Sequence, residues 1–410
     1  MRIPTFGQYQ QEASLISKEF DRLSSLLHQA ETGKKILKSS DDPVLANQVK
    51  SKKTFIDTLQ SYFENGVVAQ SRSTTVNTSL QNAISISSQI QTLIKKAESG
   101  TLNDTDRAGI AKELEGHLAN LVNIANTKDS NGGFIFSGSN STSPAYVQVN
   151  DMFQYQGSMD SLMINIAPNV SAMFSDSGYN IFSNIYQGNG VFTVNAGSGN
   201  TGTASTTPGS VNTSTYVPDT YTMTFVTNSA GKLAYQIVGA TSGQVVPPPP
   251  ATVPADALEY VAGSDVTFQG ITFNVNGGPQ VGDTFQVKPS TKENVFNSLQ
   301  NMITLLKKPV GNSGSFNQAI TQADASFTQI LNHLTTYQSE SGTQAAAINA
   351  QINTNTSILT NQTVTLSNLE NADITAVYSA LSQQSLVLQA TQAGYLKMQE
   401  VLTQILQMQF

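Results

Sequence analysis

The stretch TFGQYQQEASLISKEFDRLSSLLHQA, residues 5–30, carries apolar side chains at two positions of a seven-residue repeat. The first series is Phe6, Ala13, Phe20 and Leu27, and the second, three residues later each time, is Tyr9, Ile16, Leu23 and Ala30. This is the spacing of the a and d positions of a coiled coil. The stretch therefore predicts a long helix with one apolar face.

The C-terminal region repeats the pattern. One series is Ile374, Leu381, Leu388, Tyr395 and Leu402, and the other is Val377, Met398 and Ile405, interrupted by Gln384 and Thr391. Two apolar stripes at opposite ends of a chain can cover one another as a coiled coil, which would bring the two ends of the sequence together. An ordinary core helix at each end would give the same pattern, so both interpretations remain open.

Charge is scarce around the C-terminal repeat. Residues 343–410 contain only four charged side chains, which are Glu370, Asp373, Lys397 and Glu400. A solvated coiled coil usually carries charged flanks. Their absence favours burial of the outer faces against further copies of the chain. We therefore expect an assembly interface made by the heptad residues, a monomer in isolation, and folding of the termini that is coupled to assembly.

Between the ends, the sequence changes from helical to strand periodicity. Apolar and polar residues alternate over 221–226 and 233–238, which predicts a hairpin with a loop at 227–232. A second strand pair is predicted from Ile271–Val275 and the strand around Phe285, joined through Gly277-Gly278-Pro279. The predicted fold class is α+β and multidomain, with a long α-helical coiled-coil trunk formed by both termini and an inserted antiparallel β-rich domain.

The same changes in pattern set the expected domain boundaries. Residues 1–42 with 370–410 form the terminal coiled coil, residues 43–133 with 291–369 form a helical trunk domain, and residues 134–290 form a β-rich projecting domain. The proline run 247–250 is predicted to lie in a loop, and two subdomains would divide near 247–254.

Composition limits the function. Only 12% of the 410 residues are charged and the net charge is -7, which argues against a nucleic-acid partner. The absence of cysteine excludes disulfides and thiolate metal sites. The N-terminus lacks the apolar centre of a cleaved secretory signal, and no run has the length of a membrane span.

Residues that could carry catalysis are sparse. His28, His117 and His333 show no metal-ligand spacing, and each is expected on a surface or helix face. Asp41 and Asp42 precede Pro43, so Asp42 is predicted to cap a helix whose first residue is Pro43. We expect no catalytic residue, no metal and no cofactor, and hence no enzyme.

Four stretches resemble the flagellin superfamily and, within it, the proteins of the hook–filament junction. They are ETGKKILKSSDDPVLA at 31–46, IANTKDSNGGFIFSGSNSTSPAY at 124–146, GITFNVNGGPQVGDTFQVKPS at 270–290 and LENADITAVYSALSQQ at 369–384. The residues that match the family motifs are Asp41, Asp42, Pro43, Gly282, Asp283, Phe285, Asn371 and Asp373. Residues 147–269 match much less.

The resemblance implies a structural subunit of the bacterial flagellum that joins hook to filament by head-to-tail helical self-assembly. It implies flagellin and the other hook-associated junction protein as partners, type III export, and a chaperone on the C-terminal helix. The implied location is the extracellular flagellum, at the hook–filament junction. Two alternatives remain: the filament subunit flagellin, and a secreted adhesin whose β insertion binds a ligand.

Overall fold

A computed structural model of the protein describes residues 5–99 and 102–407. Helices occupy both ends of the described chain, and strands occupy the middle. The helices are α1 (Thr5–Thr32), α2 (Pro43–Ala97), α3 (Asp104–Ala125), α4 (Gly178–Phe182), α5 (Val295–Lys307), α6 (Ser313–Glu370) and α7 (Ile374–Gln407).

The strands are short and every pairing among the described residues is antiparallel. They are β1 (Tyr146–Val149), β2 (Met152–Tyr155), β3 (Leu162–Ala167), β4 (Val170–Ser175), β5 (Ile185–Tyr186), β6 (Phe192–Ala196), β7 (Ser205–Thr206), β8 (Ser210–Val211), β9 (Tyr221–Thr227), β10 (Leu233–Gly239), β11 (Gly243–Val246), β12 (Leu258–Glu259), β13 (Asp265–Phe268), β14 (Ile271–Asn276), β15 (Thr284–Pro289) and β16 (Lys292–Glu293). The fold class is α+β with antiparallel sheets, as the sequence predicts.

The predicted N-terminal helical region is divided by two interruptions. After α1, Gly33 adopts a φ of +67°, a conformation that a glycine tolerates best, and the chain leaves the helix. Before α3, Asn103 Oδ1 accepts from the Asp106 N–H at 2.9 Å, and the Asp106 carboxylate accepts from the Asn103 N–H at 3.2 Å. This reciprocal capping box fixes the start of α3.

The chain forms two compact units. The described residues of the first unit are 5–64 and 351–407, which contain α1, α7, the beginning of α2 and the end of α6. α1 and α7 contact one another. The Ala372 N–H donates to the Gly33 carbonyl at 2.8 Å, and the Gln384 amide donates to the Glu19 carbonyl at 3.3 Å. The end of α1 therefore lies at the start of α7, and the two helices are antiparallel.

The second unit, residues 65–99 and 102–350, contains two hydrophobic clusters. In the first cluster, side chains of α2, α3, α5 and α6 pack around aromatic residues from 134–185. The Tyr146 ring lies 4.6 Å from that of Phe296 and the Phe136 ring 5.3 Å from that of Phe182. Residues that precede β5 thus share their core with helices.

The second cluster lies within the larger sheets. The main path of the largest sheet runs β11-β10-β9-β15-β6, and a further sheet runs β13-β14-β7. Their inward residues include Tyr221, Met223 and Phe225 from β9 and Phe285 from β15, all fully buried. Alternation of apolar and polar residues along β9 has placed every second side chain in this core.

One predicted strand pair is confirmed and the other is wrong. β9 and β10 pair over their full length around the loop 228–232. β14 and β15 exist as predicted strands, but β14 pairs with β13, β7 and β8, whereas β15 pairs with β9 and β6. β14 thus forms a hairpin with the strand before it, and β15 pairs with strands that lie far along the chain.

Glutamines of α6 cover the outer edge of β6. Gln318 donates its amide to the Val194 carbonyl at 2.7 Å, and Gln322 Oε1 accepts from the Val194 N–H at 3.3 Å. The two glutamines lie four residues apart and so share one face of the helix. They satisfy backbone groups that an uncovered edge strand would expose.

Candidate assembly surface

The predicted C-terminal series lies along the contact between α7 and α1. Val377 and Leu388 are buried, and Leu381, Tyr395 and Met398 are half-buried. Gln384 and Thr391, which interrupt the pattern in sequence, are also half-buried and lie in the same row. The Gln384 amide reaches α1 through Glu19. The row is therefore continuous, with two polar members. Ile374, at the helix start, is 40% exposed.

On α1, only one of the two predicted series lies in the helix pair. Ile16, Leu23 and Ala30 are half-buried, together with Glu12, Glu19 and Leu26. Ala13, Phe20 and Leu27 are exposed, with Phe20 exposed over 60% of its surface. The series Ala13, Phe20 and Leu27 therefore does not face α7. On a helix, the residues three and four positions away from a given residue lie on either side of it. α7 covers only one of these two sides. Of the remaining heptad positions, the side chains of Phe6, Tyr9, Leu402 and Ile405 lie outside the described residues.

Both helices present large apolar side chains to solvent. On α1 these include Phe20 and Leu27, and on α7 they include Tyr378, Leu386 and Leu396, the last two exposed over 65% and 63%. Large exposed apolar side chains on two neighbouring helices make these helices the candidate interaction surface. Sequence reasoning missed the α7 residues because it followed the heptad that faces α1. Two features of the sequence could have indicated them: the helix has few charges, and it carries apolar residues outside that heptad.

The Asp41-Asp42-Pro43 motif forms the entry to α2. Asp42 Oδ1 accepts from the N–H groups of Val44 at 3.1 Å and Leu45 at 2.9 Å, and α2 begins at Pro43. The predicted cap is confirmed. The Asp41 carboxylate accepts from the Lys38 N–H at 2.8 Å and so holds the turn before the cap. Both carboxylates are occupied by backbone donors, which is a structural rather than a chemical role.

The Asn371 and Asp373 motif lies where α6 ends and α7 begins, and Asn371 contacts the segment that follows α1. Lys34 and Asn371 form a β-bridge, and the Lys35 N–H donates to the Glu370 carbonyl at 2.8 Å. Asp373 Oδ1 caps α7 by accepting from the next two free N–H groups, of Thr375 and Ala376, at 3.0 and 3.1 Å. This short β contact between residues 33–35 and 370–372 is the joint between the end of α1 and the start of α7.

Glu370 adds an ion-pair cluster at this joint. Its carboxylate lies 2.9 Å from Lys53 Nζ and 3.1 Å from Lys34 Nζ. Hydrogen bonds from Lys53 and then Lys34 lower the pKa of Glu370 below its usual value. The carboxylate is 21% exposed, so solvent weakens these attractions.

Gly282, Asp283 and Phe285 lie in the second unit. Gly282 has a φ of +97°, and its N–H donates to the Phe225 carbonyl at 2.8 Å. The Asp283 carboxylate is almost wholly buried and accepts from three N–H groups, those of Thr201 at 2.7 Å, Gln280 at 2.8 Å and Gly202 at 3.0 Å. Phe285 is fully buried in the second cluster.

The remaining polar candidates are the histidines and acidic side chains within residues 5–99 and 102–407. Over those residues, no cluster of three or more histidine, aspartate or glutamate side chains could hold a metal ion. His28 lies 3.3 Å from Glu31, and His333 Nε2 lies 2.8 Å from the Asn180 carbonyl. Over the same residues, no helix is long and apolar enough to cross a membrane.

Comparison with known proteins first defines a class. The family described as the bacterial flagellin N-terminal helical region matches residues 3–141. Flagellar hook-associated protein 3 of Salmonella typhimurium is 31% identical over 193 residues, which are 45% of this chain and 58% of that protein. The chain therefore spans little more than half the length of this curated relative.

Solved structures extend the match. The crystal structure of flagellar hook-associated protein 3 from Legionella pneumophila is 31% identical, with a TM-score of 0.75, over 78% of this chain and 98% of that one. The chain belongs to the family of flagellar hook-associated protein 3. Xanthomonas campestris FlgL, 22% identical with a TM-score of 0.65 over 76% of this chain and 99% of that one, shares the fold.

Proposed function

We propose that this protein is a structural subunit of the bacterial flagellum that joins hook to filament. It would lie in the extracellular flagellum at the hook–filament junction, and it would contact flagellin and the other hook-associated protein. Family membership supports this proposal, since the relatives named above are flagellar hook-associated proteins.

The observation that carries the mechanism is the exposed apolar surface of α1 and α7. A single chain leaves Phe20, Leu386 and Leu396 in water, at a cost of roughly 25 cal/mol for each Å² that a neighbour would bury. Contacts between unlike faces of successive copies do not close, and they propagate a helical tube. We infer that the terminal heptad residues and the exposed rows beside them form the interface between subunits.

Each part of the chain would have a different place in this assembly. The terminal helices, 1–42 with 370–410, form a coiled-coil trunk that lines the assembly, and 43–133 with 291–369 extend it. The inserted β-rich segment 134–290 projects from the tube. Its eight acidic and two basic residues suit a solvated surface.

The terminal helices would also have to be kept from assembling before the chain is exported. We propose that the chain leaves the cell through the flagellar type III apparatus as a monomer, and that a chaperone covers the apolar row of α7 until then. The exposed side chains of Tyr378, Leu386 and Leu396 give such a chaperone an apolar helix face to bind.

The decisive experiment is deletion of the gene, followed by electron microscopy of the cells and an assay of flagellin in the medium. Hooks without filaments, with flagellin monomers lost to the medium, are the expected result. Intact filaments would contradict the proposal. Normal motility with loss of adhesion to surfaces would favour the adhesin alternative, and intact hook and junction with no filament protein made would favour flagellin.

Complementation tests the interface within the same strain. A Phe20→Ser or Leu386→Ser chain should be made and exported but should restore few filaments. Val281→Ser is the matched control, because Val281 is 60% exposed but lies in the second unit. Full rescue by all three chains would contradict the assignment of the interface to α1 and α7.

A further inference from the structure

Four asparagines of the chain are followed directly by glycine: Asn65, Asn131, Asn189 and Asn276. An asparagine in this position can lose its side-chain amide nitrogen without an enzyme, because the backbone nitrogen of the next residue attacks the side-chain carbonyl carbon. Glycine favours this attack, since it has no side chain to obstruct it. The four pairs therefore share one local chemistry, and the folded structure decides which of them can react.

Hydrogen bonds hold the first two pairs. Asn65 lies inside α2, so the Gly66 N–H belongs to the helical ladder, and the Asn65 amide donates to the Asn165 carbonyl at 2.9 Å. The Gly132 N–H, which follows the second asparagine, donates to the Asp129 carbonyl at 3.0 Å. In both pairs the attacking nitrogen must first give up a hydrogen bond.

The Asn189 pair is held at both of its reacting groups. Asn189 Oδ1 accepts from the N–H groups of Val191 at 3.0 Å and Phe192 at 2.9 Å, and its Nδ2 donates to a backbone carbonyl at 3.1 Å. The Gly190 N–H donates to the Gln187 carbonyl at 3.1 Å. Reaction at this pair therefore requires local opening of the fold.

The fourth pair lies at the end of β14 and is not held in this way. Asn276 is exposed and pairs with Ser205 of β7 through the backbone. Among the residues that the structure describes, the Asn276 side chain makes no hydrogen bond and the Gly277 N–H has no acceptor. Both reacting groups are thus available in the folded chain.

We propose that Asn276 is a site of spontaneous deamidation in the folded protein. The Gly277 nitrogen bonds to Asn276 Cγ and loses its proton, and Asn276 Nδ2 leaves as ammonia, which closes a succinimide ring. Water then adds to one of the two ring carbonyls and breaks its bond to the ring nitrogen, which leaves aspartate or isoaspartate. The net reaction consumes one water and releases one ammonia, with no oxidation or reduction. It does not depend on the proposed flagellar role.

Either product changes the β-rich segment. Both replace a neutral amide with a carboxylate, which adds negative charge to residues 134–290, where acidic residues already exceed basic ones by eight to two. Isoaspartate also lengthens the main chain by one carbon atom at a crowded place, because a Cβ added to Gly277 would lie only 2.7 Å from the Thr203 carbonyl oxygen. The isoaspartyl form should therefore weaken the pairing of Asn276 with Ser205.

The test is incubation of the purified full chain in mildly alkaline buffer, followed by proteolysis and mass spectrometry of the peptides that contain the four pairs. Deamidation at Asn276 should be at least about tenfold faster than at Asn189, because the Asn189 pair must first break its hydrogen bonds. Asn131, on an exposed turn, should follow Asn276. Water enriched in heavy oxygen should label the product, since the new oxygen atom comes from water.

The unfolded chain is the matched control. In guanidinium the four pairs should react at similar rates, because each asparagine is followed by glycine and the hydrogen bonds are gone. Asn276→Gln should abolish the change at that position and leave the rate at Asn131 unaltered. Equal rates at all four pairs in the folded chain would overturn the proposal. So would an Asn276 that stays intact in the folded chain while Asn131 reacts.

Discussion

The two compact units bury their apolar side chains to different extents. In the second unit, two clusters bury large side chains such as Tyr146, Phe225 and Phe285 completely. In the described part of the first unit, the buried hydrophobic side chains are Leu59, Val377 and Leu388, while Phe20, Leu386 and other large residues remain exposed.

The difference shows where stability resides in an isolated chain. Complete burial of a large side chain contributes about 1.5–3 kcal/mol, so the second unit has the contacts of an independent domain. The first unit relies on one helix pair, a short β contact and a few ion pairs. Its apolar surface is available for neighbours, which fits a subunit whose terminal helices gain their full stability on assembly.

The largest expected effect comes from removing a core aromatic ring. Phe285→Ala should destabilise the second unit by about 3–5 kcal/mol, because it leaves a cavity in a packed sheet core. Guanidinium unfolding followed by tyrosine circular dichroism, in a chain without tryptophan, measures this loss. Phe20→Ala is the matched control in the first unit, and it should change monomer stability by at most about 0.5 kcal/mol. Equal losses would contradict the contrast between the units.

A smaller effect is expected at the buried carboxylate of the second unit. Asp283→Ala removes the acceptor of three N–H groups and should cost about 1–3 kcal/mol. Asp283→Asn keeps one oxygen acceptor and should cost less than the alanine variant. Thermal unfolding of the two variants compares these costs. If the asparagine variant were the less stable one, the new amide N–H group that faces backbone N–H donors would cost more than the retained oxygen acceptor contributes.

Loss of either helix cap of the first unit should lower the free energy of unfolding by about 1 kcal/mol. Asp42→Ala and Asp373→Ala remove the acceptors for the first turns of α2 and α7. Amide hydrogen exchange should therefore accelerate at Val44 and Leu45 in the first variant and at Thr375 and Ala376 in the second. Serine at either position keeps a cap and should restore protection. Unchanged exchange in both alanine variants would show that these turns are held by other contacts.

The smallest expected effect is a dependence of the stability of the first unit on pH. Since the folded chain lowers the pKa of Glu370, its contribution to stability is present above the unfolded value of about 4.3 and is lost as pH falls through the lowered value. A partly exposed ion-pair cluster contributes less than about 1 kcal/mol. Glu370→Gln should remove this part of the acid transition, measured by circular dichroism against pH.

Glu400→Gln is the control for this titration, because Glu400 and its partner Lys397 are both largely exposed. It should leave the acid transition unchanged. A pH profile that is identical in the parent and Glu370→Gln chains would show that the cluster adds nothing to the joint.

Local features of the fold were predictable from neighbouring residues. The cap at Asp42, the start of α2 at Pro43 and the β9–β10 hairpin each depend on a few adjacent side chains, and each appears as predicted. The second predicted pair failed because β14 pairs with the strand that precedes it, β13, while β15 finds its partners β6 and β9 far along the chain. The β-bridge between Lys34 and Asn371 was not predicted either, because it joins residues far apart in the sequence.

The candidate assembly surface was predictable in part. Heptad spacing identified the helices and the α7 row that contacts α1, and it identified Phe20 and Leu27 as members of an apolar row. It could not decide which α1 row α7 covers, since residues on both sides of a heptad row satisfy the spacing equally. The role of the heptad residues between subunits remains a prediction.

The sequence by itself determined the helical ends, the antiparallel strands of the middle and the scarcity of charge along α7, because periodicity and composition are properties of adjacent residues. Only the tertiary structure decided which apolar row stays in water, which strands share a sheet, and which of the Asn-Gly pairs are held by hydrogen bonds. These outcomes depend on contacts between segments far apart in the chain, and the free energy of such contacts is fixed by the packing of the whole unit.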